Sequence, residues 1–412
     1  MGINHPLNKF SKYKYQPLWW VLAITSALLL GCGPFYLPIS ERNFSHKYNP
    51  AHTDIHPVIM LHRVAPDSSV VFMRIPVNDL GFPEFKRRED QIAGVSVEYF
   101  LVESAGANMY RDSGSMKFTF PQKPATNYLQ LKKGVAHHPD SVKFIDFQIR
   151  DYLSGLETNE VLRIQPNGYY NSQTYYPFYN DSNYPIVRAM ASPGDSIRIK
   201  SAIETDSLWI FHLTYNTNDT LPFDKLHKIG MDDYFQFTRE GSYIINRDST
   251  LAGGLRYIVD VQYFPAIREA QQMLGPIRYL TNGKEWQEIN QLPPKRAVDT
   301  FWLVAAPDTE TARQLIQVYY NRVQLANIKF SSHRQGWKTD MGQMMTLAGL
   351  PDEVQITDTT EHWFYFIGKN EKLKIPFMYN DSLGEYQRQR NDSLMNGFFM
   401  YHINGWRSGK FY

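Results

Sequence analysis

Apolar and polar residues alternate in short runs over the first two thirds of this chain. Between about 60 and 260 the runs Ser69–Ile75, Val95–Val102, Met116–Phe120 and Val142–Ile149 read as strands, followed by Ser196–Ser201, Leu208–Thr214, Tyr243–Asn246 and Tyr257–Gln262. Clusters of Gly, Pro, Asn and Asp separate them. Many short strands at such spacing predict β-sandwiches. The tract Gln165–Pro185 is polar and turn-rich, which places a junction between two modules there. Near Pro265 the period changes. Ala266–Leu274 reads as a helix halted by Gly275-Pro276, and Pro307-Asp308-Thr309 offers a helix start. Ala312, Leu315, Ile316, Tyr319, Val323 and Ala326 then recur at helical spacing. Met344–Leu347, His362–Ile367 and Leu373–Tyr379 read as strands, and the last 30 residues follow neither period.

The amino terminus differs from all of this. Lys9, Lys12 and Lys14 precede an apolar segment from Trp19 to Leu30, and no acidic residue occurs there. The apolar stretch is about 12–14 residues, short of the roughly 20 that a spanning helix needs. A positive region, a short apolar core and a small residue before the cut describe a secretory signal. The run Leu29-Leu30-Gly31-Cys32 ends in the one cysteine of the chain. It resembles the processing motif of bacterial lipoproteins, in which the cysteine is lipidated and becomes the mature terminus. The resemblance implies a signal peptide over 1–31, a lipid on Cys32 and attachment to the outer membrane. Gly33-Pro34-Phe35-Tyr36-Leu37-Pro38 follows without acid, which favours the periplasmic face. Residues 33–60 are rich in Pro, Asn, Ser and His and read as a tether.

Charge narrows the partners. Formal net charge is +2, and loss of residues 1–31 would bring it to about −1. Nucleic-acid binding needs a basic stripe that this balance does not offer. With a single cysteine the chain cannot form an internal disulfide, so the fold rests on its core.

Candidate chemistry is sparse. His52, Asp54 and His56, with His46 and His62 nearby, include ligand types that suit zinc, but the spacing is not that of a closed site. His137-His138 precedes Pro139 and reads as a loop. There is no glycine-rich phosphate loop, nucleophile elbow or His-Glu-x-x-His helix. The sequence therefore points away from an enzyme and to no metal and no cofactor. Tyr169-Tyr170, Tyr175-Tyr176 and Trp406 are the aromatic residues that could stack on a carbohydrate or peptide ligand.

One ordered set carries a resemblance. Phe301-Trp302 is followed by a helix ending Tyr319–Asn327, then Gly336-Trp337-Lys338-Thr339-Asp340, Gly349-Leu350-Pro351 and Trp363-Phe364-Tyr365-Phe366. This order resembles the GWxTD-domain family of Bacteroidetes-type secreted proteins and lipoproteins, over roughly 265–380. Met341 stands where that family often has a basic residue. Gly336, Trp337, Thr339 and Asp340 read as a helix-to-strand corner: glycine for a close approach, indole for buried surface, threonine and aspartate for turn bonds. Gly349 to Phe377 also resembles small outer-membrane-assembly lipoproteins, which implies an interaction role.

A second pattern is Asp followed by Ser or Thr. It occurs at Ser141, Ser196, Ser207, Thr220, Ser249, Thr359, Ser382 and Ser393. It resembles the O-glycosylation acceptor of periplasmic proteins in such bacteria, and it is also ordinary turn chemistry.

The expected organisation is mixed α+β: a signal peptide 1–31, a tether 32–60, tandem Ig-like β-sandwich modules 61–165 and 166–264, and an α+β GWxTD domain 265–412. The expected function is a lipid-anchored, non-enzymatic interaction or assembly subunit of an outer-membrane complex of secretion, gliding or barrel-assembly type. A carbohydrate- or peptide-binding lipoprotein is the second expectation.

Overall fold

Two strand-rich modules and a helix-and-sheet domain follow one another in the computed structural model. It describes residues 36–412 except 83–92, 121–122, 139–140, 167, 169, 180–181, 187–189, 214–222, 232, 250–252, 261–262, 368–370, 381–382, 389–391 and 411–412; for 223–226 and 392–394 it describes the backbone alone. Pro38–Tyr412 form one compact unit.

The first module has seven strands: β1 Val58–Ala65, β2 Ser68–Pro76, β3 Ala93–Val102, β4 Asp112–Phe120, β5 Tyr128–Ala136, β6 Phe144–Asp151 and β7 Glu157–Arg163. They form antiparallel sheets ordered β1-β2-β5 and β4-β3-β6-β7. Alternation puts Val71, Met73 and Ile75 of β2 and Ile145, Phe147 and Ile149 of β6 into one core.

The second module has β8 Tyr175–Tyr179, β9 Met190–Ala191, β10 Ser196–Ser201, β11 Ser207–Leu213, β12 Phe223–Gly230, β13 Tyr234–Gln236, β14 Gly241–Asn246 and β15 Leu255–Val259. Their sheets run β13-β10-β8 and β12-β11-β14-β15-β9. This core is aromatic, with Tyr175, Phe237, Tyr243 and Tyr257 all buried. The tyrosine hydroxyls need partners when buried. Tyr175 donates to Asn246 Oδ1 at 3.0 Å and Tyr243 to the Arg239 carbonyl at 2.8 Å.

The carboxy-terminal part has helices α1 Ala270–Ile277, α2 Gly283–Ile289, α3 Pro294–Ala305, α4 Thr309–Phe330 and α5 Asp340–Ala348. An antiparallel meander follows: β16 Glu353–Ile356, β17 Thr360–Ile367, β18 Glu371–Asn380 and β19 Glu385–Arg388. Helix α6, Asp392–Arg407, ends it. Asp308 caps α4 as expected, accepting the Thr311 N–H at 2.7 Å. The fold is mixed α+β.

Four local expectations are corrected. Helix α1 begins later and runs through Gly275-Pro276, because a capping box of Glu269 and Gln272 sets its start. Gly275 serves close packing there: a Cβ on it would lie 3.0 Å from the Trp337 ring. Met344–Leu347 is helical, not a strand. Met344, Met345, Thr346 and Leu347 are all buried, so the run has no exposed side and its helical period is lost. The last 30 residues include α6, whose Trp406 packs against Trp302 and Tyr319.

The fourth correction concerns the tether over 32–60. Residues 38–57 form a strap of three 3-10 turns, Ile39–Glu41, Ser45–Lys47 and Pro50–His52, with Ile39, Phe44, Tyr48 and Ile55 buried. The Ser40 N–H bonds the Ala105 carbonyl of the first module at 2.8 Å, and the Phe44 N–H bonds Val354 O of β16 at 2.8 Å. The polar composition misled because these polar groups are hydrogen-bonded within the fold.

Candidate functional site

The Gly336-Trp337-Lys338-Thr339-Asp340 segment joins α4 to α5, so it is a helix-to-helix corner and not the helix-to-strand corner expected. Gly336 is buried against the last turns of α4, and a Cβ there would overlap the Ala326 carbonyl oxygen. Thr339 is the N-cap of α5. Its Oγ1 accepts the Gly342 N–H at 3.0 Å and donates to the Gly336 carbonyl at 2.7 Å. Asp340 Oδ2 accepts the Arg388 N–H of β19 at 2.7 Å, tying the corner to the sheet. Trp337 is 9% exposed. Its indole N–H donates to Gln335 Oε1 at 3.0 Å, and Tyr279 donates to its carbonyl at 2.9 Å. Gln335 in turn donates to Asp260 Oδ2 at 2.7 Å, beyond β15. Burial lowers the Lys338 pKa, with Asp260 opposing, and its ammonium stands 5.2 Å from the Trp337 ring centre. The motif pins four elements together, and Met341 beside it is buried.

A second cluster holds the strap. Glu361 of β17 has a fully buried carboxylate. It accepts from the Tyr48 hydroxyl, from Trp363 Nε1 at 2.9 Å and from Lys47 Nζ at 3.1 Å. Lys329 of α4 donates to the Lys47 carbonyl at 2.6 Å. From the first module, Glu160 stands near both lysines. Burial pushes its carboxyl up to about 7, with Lys47 and Lys329 pulling the other way. Arg42 of the strap pairs with buried Asp146 of β6 at 2.8 Å. Nearby, Glu385 takes Arg334 at 2.6 Å and the Ser332 hydroxyl at 3.2 Å.

Where the two sandwiches and the carboxy-terminal domain meet, there is a cleft of about 570 Å³. Four consecutive β1 residues, Ile59 to His62, form one wall, with Tyr170, Gly254 and Gly384 elsewhere around it. His62 is 8% exposed and burial lowers its pKa to about 4, so it is neutral at physiological pH. Sequence reasoning passed over this cleft because its lining comes from distant segments of ordinary strand and loop composition.

The histidines of the 46–62 segment each find separate partners. His52 bonds Ser45 and Asn49, each at 2.9 Å. His56 bonds Asp79, and His46 bonds the Asn159 carbonyl. Among the described residues no group of three metal-ligating side chains is present. Two proposed stacking residues are core residues: Tyr175 is fully buried, and Trp406 donates to the Leu347 carbonyl at 2.9 Å. Tyr170 is 49% exposed at the cleft. Of the Asp-Ser/Thr sites, Ser249 and Thr359 are exposed and Ser141, Ser196 and Ser207 half-buried. Cys32, Tyr169, Thr220 and Ser382 lie outside the described residues, as does the Ser393 side chain.

The geometry defines a chain of two β-sandwich modules ending in an α+β domain built around a pinned tryptophan corner. Residues 241–408 match the GWxTD domain family, so the chain carries a GWxTD domain. The match begins at β14, which extends the domain back from the 265 expected to the last two strands of the second sandwich. No curated protein matches the chain.

Proposed function

We propose that this is a lipid-anchored cell-envelope protein acting as a non-enzymatic interaction or assembly subunit at the periplasmic face of the outer membrane. The lipid would sit on Cys32, and the partner would belong to a complex of secretion, gliding or barrel-assembly type. The observation that carries the reading is the cleft in which all three modules meet beside an unpaired strand edge. Module junctions are preferred places for ligands. The strap supports the anchored part of the reading. Five residues lie between Cys32 and Pro38, a span of at most about 20 Å of chain. So short a link would suit a protein that meets a membrane-embedded partner.

Affinity purification from gently solubilised outer membranes tests the reading. Co-purification of a stoichiometric envelope protein is expected, and recovery as a lone monomer counts against it. Intact-mass analysis of the native protein adds two answers. A diacylglycerol-bearing terminus at Cys32 is expected, and hexose-type increments would mark glycosylation at the exposed Asp-Ser/Thr sites.

The second reading, carbohydrate or peptide binding, draws on Tyr170, which stays exposed at the cleft. Glycan-array binding that is lost on Tyr170→Ala would favour its carbohydrate form.

A further inference from the structure

We propose that the three-module cleft receives an extended, uncharged segment of a partner polypeptide as an added strand along β1; this rests on the interaction reading above. Ile59, Met60, Leu61 and His62 all line the cleft. Neighbouring residues of a strand point to opposite faces, so a wall of four consecutive residues is the strand's edge. That edge is open. β1 pairs with β2 alone, and no backbone bond from 59–62 to another element is present among the described residues. About 13 Å of edge is offered, at roughly 3.3 Å per residue.

Two other long edges are guarded. β4 carries Lys117, and β5 carries Lys132 and Lys133. Lysines on an edge discourage strand addition. Residues 59–62 carry none, and His62 is neutral. Arg256 is the charged residue of the lining and lies near Glu385, which Arg334 also binds at 2.6 Å. The rest of the lining is uncharged, so an uncharged segment fits it better than a basic one. Leu162, Ile186 and Leu255 supply apolar surface for alternate side chains. Gly254 and Gly384 have φ of 88° and 64°, a left-handed backbone that favours glycine and leaves their part of the lining without side chains. The volume of about 570 Å³ suits a short stretch of chain more than a folded domain.

The test selects a phage-displayed library of random linear octapeptides on the detergent-solubilised full chain. Uncharged binders with alternating apolar residues and no central proline are expected. Their affinity should fall at least tenfold with Ser172→Trp, which fills the cleft from its half-buried rim, and several-fold with Tyr170→Ala. It should also fall at least tenfold when alternate backbone nitrogens of the synthetic peptide are methylated, a change that an added strand cannot tolerate and a side-chain-only contact can. Circular dichroism checks that both variants fold; if Ser172→Trp does not, Tyr170→Ala and the methylated peptides decide. A library that yields no binder, or binders indifferent to the cleft variants and to methylation, overturns the proposal. Recovery of the same membrane complex with wild type and a folded Ser172→Trp would remove the cleft and leave the interaction reading standing. A lone monomer would remove that reading, while the octapeptides still decide the cleft.

Discussion

The tryptophan corner and the strap junction both join elements far apart in the chain, and they do so by opposite means. At the corner, backbone meets backbone. Gly336 and Gly342 have no room for a Cβ, and the polar groups around them pair as neutral or singly charged hydrogen bonds. At the junction, charges are carried into the interior, Glu361 with Lys47 and Asp146 with Arg42, while half-buried Glu160 stands near two lysines. A contact made by shape fails when volume is added. One made by buried charge fails when a partner is removed, and it also answers to pH.

The largest effect is expected at the junction. Glu361→Ala strands Lys47, Tyr48 and the Trp363 indole N–H, and loss of one partner of a buried pair costs about 3–5 kcal/mol. Urea denaturation of the full chain measures it. Glu361→Gln should recover part of the loss by keeping an acceptor for Trp363. Gly336→Ala should cost about 3 kcal/mol, since the Ala326 carbonyl is backbone and cannot swing away. The same loss at pH 5 and pH 8 would confirm that the corner is held by shape, and a strong pH dependence would contradict it. Thr339→Ala removes the α5 cap and should cost about 1 kcal/mol, with Thr339→Ser close to wild type.

The smallest expected effect concerns pH. Glu160 has a folded-state pKa raised from 4.5 to about 7, so the folded chain prefers it protonated. Its penalty is absent below about 4.5, grows as pH rises to about 7, and is complete above that. Glu160→Gln should leave stability unchanged near pH 4 and raise it at pH 8, by less than the roughly 3 kcal/mol of the full shift because the half-buried carboxyl is partly screened by water. His62, His333 and His402, all lowered to about 4, act in the opposite sense and lose stability as pH falls from 6.5. The difference between Glu160→Gln and wild type across pH isolates the carboxyl; parallel curves would show that it plays no part.

Legibility in the sequence followed how locally each feature is caused. Strands such as Ser196–Ser201 and the Asp308 cap depend on near neighbours, and pattern alone located them. Helix α5 was missed because burial on every side erases the apolar stripe from which a helix is recognised. The corner was recognised by its residues, yet its partners Gly275, Tyr279 and Arg388 lie 48 to 62 positions away and carry no local mark. The strap looked like a linker because its stabilising contacts are with residues that only the fold brings near. The cleft was invisible for the same reason, being a property of spacing between modules.

That strap also orders events in time. Tyr48 bonds Glu361 across 313 positions of chain. When the polypeptide emerges amino terminus first, the strap is among the earliest of the described segments to appear and must wait for β17 before Lys47 and Tyr48 find their carboxylate. The first sandwich can close on its own local pairings in the meantime, since closing so long a loop is the slow step. Completion of the GWxTD domain is then what fastens the beginning of the chain, and a truncated product lacking β17 would leave Tyr48 and Lys47 without the group that holds them.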